Sequence, residues 1–82
     1  MSWDLWVDYH RTDDAGLTHT NQRNVSSGVE LRQGMHLIVG NEEADPAVAE
    51  VIEIRDDGTV LVSVLPGPAD SHLHLIGNRQ PG

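Results

Sequence analysis

The chain contains no cysteine, no lysine and no phenylalanine, and its aromatic residues are confined to Trp3, Trp6 and Tyr9. Without cysteine there is neither a disulfide framework nor a thiolate metal centre, so stability has to come from packing. Without phenylalanine the interior must be built from Val, Leu and Ile, anchored at one end by the amino-terminal aromatics. Without lysine every cationic residue is an arginine, and the five of them face 13 carboxylates for a net charge of -8. No basic cluster supplies the counterion-releasing field that nucleic acid requires, and an anionic membrane surface repels such a chain. No apolar run approaches the ~20 residues of a membrane span, and no basic segment followed by an apolar stretch opens the chain. A cytoplasmic protein is expected. Lysine and phenylalanine are both read from AT-rich codons, so their absence hints at a GC-rich bacterial source.

What remains is 82 residues, 38% hydrophobic and 22% charged, a balance that suits one packed domain. Residues 1–76 are expected to form that domain and residues 77–82 a flexible tail.

Alternation by two dominates the chain. Trp3, Leu5, Val7 and Tyr9 fall on one face of a strand running to Thr12, with Asp4, Asp8 and His10 opposite. Trp6 breaks the pattern by joining the polar face. Asp13 to Gly16 is turn chemistry, and Leu17 to Thr20 reads as a return strand pairing with the first. Asn21 to Gly28 reads as a loop, Val29 to Leu31 as a short extended piece and Met35 to Val39 as a clear strand. Asn41 to Pro46 reads as an acidic exposed loop.

The strongest local signal is a hairpin of Val48–Arg55 and Thr59–Leu65 around Asp56-Asp57-Gly58. A three-residue loop with Gly58 in the left-handed conformation puts Ile54 opposite Val60 and Ile52 opposite Val62. That register separates an apolar face from a mixed one better than a two-residue loop at Asp57-Gly58 would. Pro68 to Ser71 suits one helical turn, and His72 to Ile76 reads as a last strand.

This order of elements, from about Val29 to Ile76, resembles the SH3-like small β-barrels. The expected fold is therefore all-β, a small SH3-like barrel of five to six short strands with one helical turn before the last. The resemblance carries no sequence motif, and such barrels host many unrelated functions.

Among chemistry-bearing residues, the histidines come first. If the first hairpin closes around Asp13 to Gly16, His10 and His19 become cross-strand neighbours with Asp8 on the same face, the minimum of a zinc site. The spacing matches no metal motif, and polar-face residues of half-exposed strands are the simpler account of it. His72 and His74 would likewise share a strand face. Glu42, Glu43 and Asp45 with Asp56 and Asp57 would crowd one end of a barrel, without the ligand spacing of a calcium loop. The serines lie in no nucleophile motif, and the glycines are spaced singly rather than as a phosphate loop. No enzyme activity and no cofactor are expected.

Trp6 remains, either covered by its own chain or exposed as an interface anchor among Asp4 and Asp8. The leading expectation is a non-catalytic protein-interaction module that recognises a protein partner, or a second copy as a homodimer, through an open strand edge or the Trp6 face. The alternative is an acidic decoy or inhibitor of a basic partner such as a toxin or nucleic-acid-binding protein. That reading requires the carboxylates to share one contiguous face.

Overall fold

Apolar alternation in the middle of the chain produces a meander of three antiparallel strands, to which two earlier strands attach at the edges. The computed structural model describes residues 3–79. Its strands are β1 (Leu5–Trp6), β2 (Leu17–Asn21), β3 (His36–Asn41), β4 (Ala44–Ile54) and β5 (Thr59–Val64). Three 3₁₀ segments accompany them: η1 (Tyr9–Arg11), η2 (Gln22–Asn24) and η3 (Ala69–Arg79). The strands form a single sheet in the order β1-β3-β4-β5-β2, curled into a half-barrel, and the fold is all-β.

The concave side holds the core. Leu5, Val7, Leu37, Val39, Ala49, Val51, Val60 and Val62 are fully buried there, and Tyr9, Val25, Leu31, Met35, Ile54 and Val64 pack around them. Burying each larger aliphatic side chain is worth roughly 1.5–3 kcal/mol, and no Phe is needed to fill the space. Trp3 lies over Gly40, where a Cβ would come within 3.3 Å of its ring. Leu5 and Val7 face the core as expected and Tyr9 packs against it, whereas Trp3 lies outside the core cluster, over Gly40, and the strand expected through Thr12 ends at Trp6. Pairing stops after Trp6, because Asp8 accepts the His10 N–H and caps η1.

The hairpin of β4 and β5 forms as the turn chemistry demands. Gly58 has φ +95°, and Asp57 accepts the Thr59 N–H at 2.9 Å. Ile54 pairs with Val60 as expected, but the next inward pair is Val51 with Val62, because a bulge between Val51 and Glu53 leaves Ile52 unpaired. The extra residue resets the alternation, turning Ala49 and Val51 inward in place of Ile52.

Several other expectations are corrected. The turn from Asp13 to Gly16 closes as expected, with Thr12 bridged antiparallel to Thr18, but β1 and β2 do not pair with each other: β1 runs parallel to β3, and β2 pairs with β5. Alternation fixes which face a strand buries and leaves its partner open, so the larger meander captured both short strands. Val29 to Leu31 is not a strand, and Asn41–Ala44 is a tight turn rather than a loop reaching Pro46. His72 to Ile76 belongs to η3. The free edge of β5 that a final strand would use is already taken by β2.

η3 packs against β3 and β4, the convex side on which Ile38 pairs with the buried Val48. At three residues per turn Leu73 and Ile76 come to the same side. Ile76 is buried and Leu73 is exposed. The expected tail from Gly77 lies within η3 as far as Arg79, and residues 80–82 fall outside the described residues.

Candidate functional site

The two edges of the curled sheet meet around Trp6. The outer side of β1 is occupied by its own chain: Leu5 bridges to Val25, the Ser26 N–H donates to the Asp4 carbonyl at 2.8 Å, and the Thr20 hydroxyl donates to the Trp6 carbonyl at 2.8 Å. The β1 edge is thus paired internally rather than open for a partner strand.

Trp6 itself is half-buried, and its indole N–H donates to Glu42 at 2.9 Å. Glu42 stands in the β3–β4 turn, which Asn41 organises by accepting the Glu43 N–H and donating to the Val7 carbonyl, both at 2.8 Å. The indole hydrogen bond holds the Glu42 carboxyl below its ordinary range, since it stabilises the charged form.

A cleft opens on either side of this residue. One, of about 230 Å³, is lined by Trp6, Asp8, His10, Asn41, Glu42 and Glu43 and carries acidic groups. The other, of about 260 Å³, runs between η1, the β2–η2 segment and the β4–β5 turn, and gathers Arg11, Arg23 and Arg55 around Trp6 and Thr20. Trp6 and Asp8 line both. The indole therefore separates an acidic surface from a basic one.

Other expected site residues fare differently. Asp4 accepts the Ile38 N–H at 3.0 Å while its own N–H donates to the Ile38 carbonyl at 2.8 Å, so it ties the start of β1 to β3. His10 is on η1 with its side chain 94% exposed, 3.4 Å from Asp8. His19 turns away to Asp13 at 2.8 Å. The expected zinc site of His10, His19 and Asp8 thus divides between two carboxylates: the turn from Asp13 to Gly16 closes, with Thr12 bridged to Thr18, but the chain before it is η1 rather than a strand, so His10 is not set across from His19. Among the described residues no cluster of three His, Cys, Asp or Glu suits a metal ion.

Asp13 is itself well placed. One oxygen accepts the Ala15 and Leu17 N–H groups and the other meets His19, and its carboxyl lies below the ordinary range chiefly through the His19 bond. His72 bonds the Pro66 carbonyl at 2.7 Å, and η3 separates it from the strand-face pairing with His74. The turns carrying Glu42 and Asp57 cap opposite ends of β4, a strand of 11 residues that spans up to about 33 Å. The carboxylates expected to crowd one end are therefore far apart.

The arginine cleft was not legible in the sequence. Arg11, Arg23 and Arg55 are scattered along the chain, and only the pairing of β2 with β5 brings η2 beside the β4–β5 turn; the Gln22 N–H donates to the Gly58 carbonyl at 2.8 Å. No protein-family model, curated protein or solved structure matches this chain.

Proposed function

We propose that the protein is a non-catalytic binding module, a variant of the SH3-like small barrel, that recognises a partner protein through the face around Trp6. One observation carries the reading. The Trp6 indole is half-exposed yet fixed, with its N–H on Glu42 and its carbonyl on Thr20, and it stands between two clefts. An aromatic anchor that is already ordered loses little conformational entropy on binding, and tryptophan is the residue type most enriched at interface hot spots. Asp8 belongs to this face because it lines both clefts. A homodimer through the same face is the nearest variant.

The non-catalytic part of the reading is carried over from the sequence, in which no serine lies in a nucleophile motif. The acidic-decoy alternative loses support, because carboxylates sit at both ends of β4, along its length and in the Asp13-Asp14 turn rather than on one face. A cytoplasmic, bacterial setting is proposed from composition.

The experiment compares wild type with Trp6→Ala, each checked for fold by circular dichroism, in light scattering and as bait in native lysate. Leu73→Ala, on η3 and outside both clefts, is the control. A dimer or partner lost with Trp6→Ala and kept with Leu73→Ala supports the reading. Identical behaviour of the three proteins overturns it.

A further inference from the structure

We propose that the cleft formed by Arg11, Arg23, Arg55 and Trp6 is a binding site for a phosphate group, best filled by a phosphate ester on a flat ring. The inference rests on the reading of the Trp6 face as the recognition surface and names the chemistry it takes.

Three of the five arginines line this one cleft in a chain of net charge -8. The side chains of Arg11 and Arg23 hold no ion pair or hydrogen bond within the described residues. Arg55 uses only its Nε, on Glu53 at 3.0 Å, and keeps both terminal nitrogens available. Elsewhere arginine is matched locally, as Arg32 is with Glu30. Two unmatched guanidiniums and a third with both terminal nitrogens available, all lining one cleft, are what an anion requires.

The donors exceed what a carboxylate can use. Each guanidinium presents a fork that matches two oxygens, and a phosphate monoester offers three outward oxygens to such forks. Asp8, which also lines the cleft, is engaged by the His10 N–H at 3.0 Å. Asn24 donates to Thr20, and Asn21 accepts the Arg23 N–H, so the floor on which the guanidiniums stand is itself hydrogen-bonded. Trp6 lines the same cleft and supplies an aromatic ring beside which a planar group can pack.

The overall charge selects against long polyanions. Charges farther than about 8 Å are screened at physiological ionic strength, so a compact dianion senses mainly the three arginines. An extended nucleic acid runs past them onto acidic surface. A cleft of about 260 Å³ also suits a phosphate with part of one ring.

The test is an NMR titration of the whole chain, following the Trp6 indole N–H and the arginine Nε–H signals. The probes are phenyl phosphate, inorganic phosphate and acetate at constant ionic strength. Saturation by phenyl phosphate below about 10 mM, with inorganic phosphate weaker and acetate weaker still, is expected. Equal saturation by phenyl phosphate and inorganic phosphate assigns the site to the free ion, and the ring preference is then wrong. Arg11→Gln with Arg23→Gln should weaken phenyl phosphate binding at least about tenfold, and Arg32→Gln should not. No saturable shift, or an equal loss with Arg32→Gln, overturns the proposal. A Trp6-dependent partner that survives Arg11→Gln with Arg23→Gln would leave the binding-module reading standing while this inference fails.

Discussion

The Thr20 hydroxyl donates to the Trp6 carbonyl at 2.8 Å, joining the two edge strands of the sheet where no backbone ladder connects them. The same hydroxyl oxygen accepts the Asn24 side-chain N–H at 3.0 Å. One side chain therefore couples the seam, the Trp6 face and the floor of the arginine cleft. Thr20→Val keeps the shape and removes both bonds. Urea unfolding is expected to show a loss of about 1–2 kcal/mol, since the Trp6 carbonyl is left without its partner. An unchanged midpoint would mean that the seam contributes nothing.

Tyr9 presents the opposite case. Among the described residues its buried hydroxyl has no hydrogen-bond partner, and burial raises the pKa of the phenol. The ring still packs against the core. Tyr9→Phe removes the orphaned group and keeps the ring, so stability is expected to hold or to rise by about 1 kcal/mol. A clear drop in Tm would show that the hydroxyl has found a partner in solution.

Acid should destabilise the protein through a definable set of carboxylates. Asp13, Glu42 and Asp57 are all held below the ordinary range, by His19, by the Trp6 indole and by the Thr59 N–H respectively. A folded-state pKa depressed in this way contributes stability above the unfolded value of about 4 and loses it as pH falls through the folded value. All three groups are exposed, so solvent screening keeps the effect modest. Tm is expected to be flat from neutral pH down to about 5 and to fall below about 4. The combined variant Asp13→Asn, Glu42→Gln, Asp57→Asn should show a shallower acid limb; an equal slope would place the acid sensitivity elsewhere.

The β4 bulge makes a paired prediction. Val51 is fully buried and pairs with Val62, whereas Ile52 is unpaired and half-buried. Val51→Thr places a hydroxyl in an aliphatic core and is expected to cost about 1–3 kcal/mol. Ile52→Thr, judged worse by simple alternation, should cost less. If the order is reversed, the hairpin follows the unbulged register.

What was legible in the sequence is what local chemistry dictates. The inward set Leu5, Val7 and Tyr9 and the outward Trp6 follow from a two-residue period, whereas Trp3, expected with the inward set, lies over Gly40 instead. The Asp56-Asp57-Gly58 turn follows from the need for a left-handed residue at Gly58. The all-β class follows from the same period repeated along the chain.

What only the tertiary structure decided is which strand meets which. Pairing of β1 with β3 and of β2 with β5 is chosen by total burial over distant segments, and no local pattern encodes that sum. The same choice separated His10 from His19, made Asp4 a strand tie and closed the β5 edge to a sixth strand. It also assembled Arg11, Arg23 and Arg55, because charges far apart in sequence become neighbours only when backbone hydrogen bonding draws their strands together.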